Sequence, residues 1–178
     1  MSDTTAARPC VQAAEIPLER DLFMRTLIRE LASVLQDIVG LEDASGFISL
    51  VGQRIGAQIN ESYKKALALK GLDRGQVAEV LVDLKRRIRG DFFILEESDE
   101  KIVLGNRACP FAERVLGRPS MCMMTSNVFG SIAAENLGYA KVVLEETIAT
   151  GASGCRVTVY LRPTEAAHAA AGREYYGA

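Results

Sequence analysis

The first half of the chain repeats apolar residues at intervals of three and four, which is the spacing of one face of an α-helix. The first such stretch begins near Pro17 and stops at Gly40, a residue type that often follows a helix C-terminus. A second stretch begins at Asp43 or Ser45. The pattern therefore predicts two consecutive amphipathic helices separated by a glycine.

A third helical stretch follows Asp73, and Gln76 stands three residues later, an arrangement typical of a capping box. The stretch ends in the basic run KRRIRG. Cationic side chains stabilise the negative C-terminal end of a helix, and no other basic or aromatic cluster accompanies this run. We therefore expect a helix terminus here and no direct contact with nucleic acid.

The second predicted helix carries Gly52 and Gly56 on one face. Interior glycines cost about 1 kcal/mol each relative to alanine, and a close helix–helix contact would offset that cost. The contact lies either within the chain or between two copies of it. We expect the chain to form a homodimer.

The periodicity changes after residue 90 to the alternation of β-strands. Two short strands flank a polar turn at 97–100, and a helix follows with Ser120 as its N-cap and Gly138 at its C-terminus. A β-hairpin with a glycine-rich turn at 149–154 comes last. This order predicts an α+β domain whose antiparallel sheet packs on helices.

Composition narrows the class of protein. The 178 residues are 48% hydrophobic and 25% charged, with a formal net charge of −2, so we expect one globular domain without attraction to nucleic acid or anionic lipid. No apolar run is long enough to span a membrane, and the N-terminus lacks a secretory pattern, so we expect a cytoplasmic protein with free thiols. The predicted parts are a flexible tail at 1–15, a domain at 16–162 and a C-terminal tail at 163–178.

The last hairpin places a carboxylate on the apolar side of the sheet. If the turn spans 149–154, Glu146 pairs with Val157 and is a diagonal neighbour of Cys155, about 7–8 Å away at the backbone. A buried carboxylate is costly unless it is paired or binds a cation. Glu146 is thus a candidate metal ligand. A salt bridge to an arginine, or a shift of register that exposes it, is the alternative.

Three cysteines stand on separate predicted elements. Twelve residues separate Cys109, in a loop before a proline, from Cys122, at the start of a helix. The positive helix end favours a thiolate at Cys122, and Cys155 begins a strand on the core side. The three thiols are either metal ligands or small hydrophobic core residues.

The run CMMTSNVFGSIAAENLGYAKVVLEETIATGASGCRVTVYL resembles the methanogen output domain family, which is related to the 4-vinyl-reductase small-molecule-binding domains. In aromatic-sensing activators that carry the related domain, two outer cysteines, a glutamate and a further cysteine bind a structural zinc. The resemblance matches Cys122 and Cys155 to the outer cysteines and Glu146, or less well Glu145, to the glutamate. Thr147 or a neighbour stands in place of the further cysteine, and Cys109 would replace it as a ligand.

A second resemblance concerns cysteine spacing alone. The repressors of SUF-type iron–sulfur assembly carry two cysteines separated by twelve residues and a later Gly-x-x-x-Cys, and these three cysteines hold an iron–sulfur cluster. Cys109, Cys122 and Cys155 are similar in spacing. The resemblance implies an iron–sulfur cluster at these positions, although the winged helix of those repressors is not found here.

Two functions follow from these features. In the first, a sensory or regulatory domain binds an iron–sulfur cluster, or else zinc, through the three cysteines and Glu146, and signals to a regulatory protein partner. In the second, the domain binds a small apolar or tetrapyrrole-like molecule without metal. The candidate lining residues are Phe111, Met121, Met123, Met124 and Phe129. The single histidine, His168, lies near the C-terminus and no catalytic set is apparent, so we expect no enzymatic activity.

Overall fold

The computed structural model describes residues 15–17 and 19–177. Its helices are α1 (Arg20–Leu67), α2 (Arg74–Arg87), α3 (Cys122–Leu137) and α4 (Glu165–Ala169). Its strands are β1 (Phe92–Glu97), β2 (Lys101–Asn106), β3 (Tyr139–Glu146), β4 (Cys155–Tyr160) and β5 (Arg173–Tyr176). The α+β class is confirmed. The predicted tail at 1–15 lies, apart from Glu15, outside the described residues.

Helix α1 contains the predicted break. Gly40 has φ 84° and ψ 168°, a conformation outside the helical region that glycine adopts without the steric cost of a Cβ atom. Helical residues resume directly after it, so the second stretch begins a few residues before the predicted Asp43 or Ser45. The two stretches together form one long kinked helix.

The glycine face of α1 packs within the chain. A Cβ atom on Gly52 would lie 2.9 Å from Cβ of Asn127, and one on Gly56 would lie 3.1 Å from Cβ of Ser131. Both partners belong to α3. The two glycines therefore let the backbones of α1 and α3 approach closely, which is the first of the two alternatives that the sequence left open.

Helix α2 begins as its sequence predicts. The Asp73 side chain accepts a hydrogen bond from the Gln76 backbone at 2.9 Å, and the Gln76 side chain accepts one from the Asp73 backbone at 3.0 Å, which completes the capping box. Val77 and Leu81 are fully buried on the inner face of the helix. This face joins the core between α3 and the sheet.

The five strands form one antiparallel sheet in the order β1-β2-β4-β3-β5. Its inner face carries Ile102, Leu104, Val157 and Val159, all almost completely buried. Phe129 of α3 packs edge-on against Phe92 of β1, with ring centroids 5.5 Å apart. The core therefore lies between the sheet and helices α2 and α3, and α1 packs outside α3.

The C-terminal residues are not the tail that the sequence suggested. Strand β5 pairs with β3, with Tyr139 opposite Tyr176, and extends the sheet at its edge. The Tyr175 hydroxyl lies 3.0 Å from that of Ser126 on α3. A four-residue strand is too short to show alternation in the sequence, and its pairing depends on contacts with distant residues. The prediction of a C-terminal tail at 163–178 was therefore wrong.

Candidate functional site

A large apolar cavity opens between α1, α2 and α3. Its volume is about 460 Å³, within the range of roughly 300–1,000 Å³ that is usual for small-molecule sites. Helix α1 lines it from both sides of Gly40, and the segment before α3 closes one end. Its lining includes Ile28, Leu31, Ile48, Val51, Leu84 and Val128. Among the described residues that line the cavity, Lys85 is the only one that carries a charge.

The structure separates the five predicted lining residues into two groups. Phe111, Met121 and Met124 line the cavity. Phe129 is fully buried in the main core instead, and Met123 is not among the lining residues. Helical geometry explains the division, because side chains three or four positions apart share a face and Met124 and Val128 form the face turned to the cavity.

Lys85 lies at the inner wall of the cavity and only 4% of it is exposed. Its ammonium donates a hydrogen bond to Oγ1 of Thr125 at 2.7 Å. It also lies 5.3 Å and 5.2 Å from the ring centroids of Phe92 and Phe129. Burial lowers the pKa of Lys85 to about 8, because desolvation disfavours the charged amine.

Sequence reasoning did not identify Lys85 as a buried residue. It belongs to the run KRRIRG, which was assigned as a whole to the helix terminus. A signal was present, because Lys85 stands four residues after Leu81 and eight after Val77, on the buried face of α2. A lysine on an apolar helical face is a candidate for a partner or ligand contact.

The three cysteines meet in a second, smaller cleft. Cys109, Cys122 and Cys155 line a space of about 30 Å³ together with Asn106 and Thr147. Phe111 and Met121 line both this thiol cleft and the large cavity, so the two are neighbours. Three separate elements thus contribute a cysteine to the lining of one cleft.

The sulfur of Cys155 accepts two hydrogen bonds in the thiol cleft. One comes from the Ile148 backbone N–H at 3.4 Å and the other from the Asn106 side-chain amide at 3.5 Å. Asn106 and Cys155 are also opposite each other in the pairing of β2 with β4. The strand register thus fixes both the cysteine and one of its donors.

The pKa of Cys122 shifts in the opposite direction to the one expected for a cysteine at the start of a helix. Burial raises the pKa of the Cys122 thiol to about 12, and it also raises the pKa of Cys109. A hydrogen bond from Thr147 and the charge of Lys85 oppose the shift at Cys122 without overcoming it. Burial therefore disfavours the thiolate at both positions in the metal-free chain, and at Cys122 it acts against the effect expected of the helix end.

Glu146 does not lie on the core side. Leu144 pairs with Val157, but the next pair is Glu146 with Arg156, so Glu145 is the extra residue of a β-bulge. The bulge turns Glu146 to the exposed side, and Thr147 is buried beside the thiols in its place. The predicted pairing of Glu146 with Val157 was therefore wrong, and the alternative of a shifted register is the correct one.

The side chains of the thiol cleft are of a type that binds metals, but they are not close enough together to hold one metal ion. Three thiols are ligands that zinc and iron–sulfur clusters favour. However, no three histidine, cysteine, aspartate or glutamate side chains within 15–17 and 19–177 stand close enough together to hold one metal ion. The free volume of about 30 Å³ corresponds to roughly one water molecule. Binding of a metal ion or cluster by the three thiols therefore requires the cleft to change shape.

The model of one family, methanogen output domain 1, matches residues 27–160, which is most of the chain. The chain belongs to the methanogen output domain 1 family, and the resemblance stated from the sequence is confirmed. No curated protein sequence matches it significantly.

Solved structures share the fold at low sequence identity. The phenol-responsive sensory domain of the transcription activator PoxR, crystallised with phenol, is 16% identical, with a TM-score of 0.62, covering 88% of this chain and 82% of that one. Subunit 3 of a trafficking protein particle complex from Naegleria fowleri, covalently bound to palmitic acid, is 11% identical, with a TM-score of 0.56 and coverages of 80% and 95%.

A third similar structure is an Fe(II) unliganded H-NOX protein mutant from K. algicida, which is 15% identical, with a TM-score of 0.50 and coverages of 83% and 76%. These likenesses establish the fold. No helix in the described part of the chain combines the length and the apolar character needed to cross a membrane.

Proposed function

We propose that this chain is a sensory domain that binds one small, largely apolar molecule in the cavity between α1, α2 and α3. The cavity itself carries the proposal, because a volume of about 460 Å³ with an almost wholly apolar lining matches the sites that bind small molecules. Three of the residues expected from the sequence to contact such a ligand, Phe111, Met121 and Met124, line it.

The solved neighbours support this proposal. The PoxR sensory domain is described with phenol and the trafficking subunit with palmitic acid, and both molecules have an apolar body. A fold that accommodates such molecules in two relatives is a reasonable host for another one here. The identity of the ligand does not transfer at 16% and 11% sequence identity.

The kink in α1 connects ligand binding to a change at the surface of the protein. Ile28 and Leu31 line the cavity from before Gly40, whereas Ile48 and Val51 line it from after Gly40. A ligand that contacts both stretches changes the relative energy of different angles at the kink. The outer surface of the first stretch, with Phe23, Val34 and Ile38 between 53% and 76% exposed, would then present a different apolar face to a regulatory protein or a second copy of the chain.

A neutral fluorescent probe tests the proposal. N-phenyl-1-naphthylamine carries no charge at pH 7 and fluoresces strongly only in apolar surroundings. Titration into the purified chain should give saturable binding with one site per chain. Fluorescence that rises without saturation would show weak adsorption to exposed apolar side chains, and it would contradict the proposal.

A second candidate function is carried by the thiol cleft. Cys109, Cys122 and Cys155 come from three separate elements and line one space, which supports metal sensing through an iron–sulfur cluster or zinc. The loop that carries Cys109 would close on the metal. Anaerobic purification followed by iron, zinc and acid-labile sulfide analysis tests this function, and a folded protein without any of these would exclude it.

Several expectations from the sequence stay predictions. They are a homodimer, a regulatory protein partner, a cytoplasmic location and a lack of enzymatic activity. The dimer is the simplest to check, because sedimentation velocity of the purified chain distinguishes one copy from two.

A further inference from the structure

Three polar side chains attach the first stretch of α1, residues 20–39, to the rest of the domain. Arg29 donates hydrogen bonds to two backbone carbonyl oxygens of the segment 112–121, and the longer of the two is 3.0 Å. Ser33 and Gln36 accept hydrogen bonds from side chains of the same segment, at 2.7 Å and 2.9 Å. This side of the stretch is therefore held largely by hydrogen bonds.

The opposite side of the same stretch is apolar and exposed to solvent. Successive residues of an α-helix are about 100° apart, which places five apolar side chains about half a turn away from Arg29, Ser33 and Gln36. Each of the five is between 39% and 76% exposed. They are Met24, Leu27, Leu31, Val34 and Ile38. An amphipathic helix normally turns its apolar side to the core, so the orientation of this stretch is reversed.

These five residues, which we call the heptad face, have the spacing of a coiled coil. They follow one another at intervals of three, four, three and four, as the a and d positions of a heptad repeat do. Side chains at such positions pack between those of a second helix with the same pattern. Within the heptad face only Leu31 also lines the cavity. The heptad face is therefore a surface of its own, patterned for a helix–helix contact.

The partner helix of the heptad face comes from outside the core of the chain. Helices α2 and α3 bury their apolar residues against the sheet, among them Leu81 and Ile132. The glycine face of α1, the other candidate for a contact between copies, packs on α3. A second copy of the chain supplies a helix with the same spacing, and a two-fold rotation brings the two heptad faces together.

The exposed area of the heptad face is sufficient for such a pair. Phe23, which is 53% exposed, extends it on the side of Leu27. If a fully exposed apolar residue presents roughly 150–200 Å², these six residues present about 600 Å² per copy and about 1,200 Å² in a pair, the lower limit of stable specific interfaces. A patch of this size is at the upper limit for monomeric proteins.

We propose that two copies of the chain pair through the heptad faces of α1. This inference goes beyond ligand binding, because the contact needs no molecule in the cavity. It assigns a surface to the homodimer expected from the sequence, and it places that surface on the first stretch of α1 instead of on the glycine face.

Sedimentation velocity of the purified chain at about 50 µM is the first measurement, because small interfaces still reach micromolar dissociation constants. The original chain should sediment as two copies and dissociate on dilution. Val34→Glu and Ile38→Glu each bring two like charges into the contact, and neither residue lines the cavity. Each should raise the dissociation constant of the dimer at least about thirtyfold, the effect of losing a residue central to an interface.

Leu50→Glu is the matched control. Leu50 also belongs to α1 and is 51% exposed, but it lies beyond Gly40 and outside the heptad face. The substitution introduces the same charge and should leave the dissociation constant unchanged. All three replaced side chains are more than half exposed, so each variant should fold, which circular dichroism of each variant checks.

Three results would overturn the inference. The first is a single copy of the original chain at about 50 µM. The second is a dimer that both heptad-face variants leave as tight as before. The third is a Leu50→Glu variant that dissociates as readily as Val34→Glu. Titration of the same samples with N-phenyl-1-naphthylamine reports on the cavity separately, so a failure of the proposed function is distinguished from a failure of the dimer.

Discussion

Gly52 of α1 lies so close to Asn127 of α3 that a Cβ atom added to the glycine would stand 2.9 Å from Cβ of Asn127 and 3.1 Å from the carbonyl oxygen of Met124. Real Cβ atoms essentially never approach another heavy atom closer than 3.0 Å, and the neighbouring carbonyl belongs to the backbone of a packed helix. The position of α1 over α3, and with it the wall of the cavity, therefore depends on the absence of a side chain at Gly52.

Gly52→Ala should lower the free energy of unfolding by about 1–3 kcal/mol, because overpacking a helix contact forces backbone shifts. Gly46→Ala is the matched control, since Gly46 lies in the same helix and an added Cβ atom would meet no other part of the structure within 4 Å. It should raise stability by about 0.5–1 kcal/mol through helix propensity. Urea denaturation measures both. Equal effects of the two substitutions would contradict the close contact of α1 with α3.

Asp83 should make the stability of the fold sensitive to acid. The hydroxyl of Tyr63 and the guanidinium of Arg87, each 2.6 Å from Oδ2, hold the pKa of Asp83 well below its ordinary value of 3.8. Because the folded state binds this proton less readily than the unfolded state, the stabilisation is present above about pH 4 and is lost as the pH falls below that value.

Urea denaturation between pH 6 and pH 3 measures this effect against Asp83→Asn. The variant should be less stable at pH 6, and the difference between the two proteins should shrink as the pH falls. A constant difference over the whole range would show that the Asp83 charge does not stabilise the fold.

Cys122 should react slowly as a nucleophile. Alkylation requires the thiolate, and burial raises the pKa of Cys122 to about 12 from an ordinary value of 9.0. At pH 8 the folded chain should be alkylated by iodoacetamide at Cys122 at least about a hundredfold more slowly than the chain unfolded in urea. Peptide mapping by mass spectrometry identifies the site. Similar rates in both states would show that Cys122 is exposed or ionised.

Substitution of two residues that the sequence grouped as metal ligands should have different effects on the metal content of the protein. After anaerobic purification, Cys109→Ser should contain less metal per chain than the original protein, because Cys109 lines the cleft. Glu146→Ala should contain the same amount, because Glu146 is exposed beyond the bulge. Loss of metal in Glu146→Ala with retention in Cys109→Ser would show that the metal binds elsewhere.

Local sequence signals predicted the local structure of this chain well. The capping box at Asp73 and the break at Gly40 both depend on residues whose preferences dominate their surroundings. A capping side chain or a glycine with positive φ determines its backbone almost alone. These features were therefore available without any knowledge of the tertiary fold.

The errors arose where tertiary contacts decide the outcome. A single extra residue at Glu145 reverses the face of Glu146, and no residue type in that strand marks the bulge. Lys85 looked like part of a basic helix terminus, and its burial depends on how α1 and α3 pack around it. The cavity itself is a space between three helices, so it has no signature in any one of them.

The most direct test of the central claim, that the cavity binds a small apolar molecule, compares two neighbouring substitutions on α1. Val51 and Leu50 are 48% and 51% exposed, but only Val51 lines the cavity. A tryptophan at either position does not overpack the core, because both positions are about half exposed. At position 51 its ring also occupies part of the cavity. Titration with N-phenyl-1-naphthylamine should give at least a tenfold weaker affinity for Val51→Trp and an unchanged affinity for Leu50→Trp. Equal affinity of both variants and the original chain would show that the probe binds outside the cavity, and the account would be wrong.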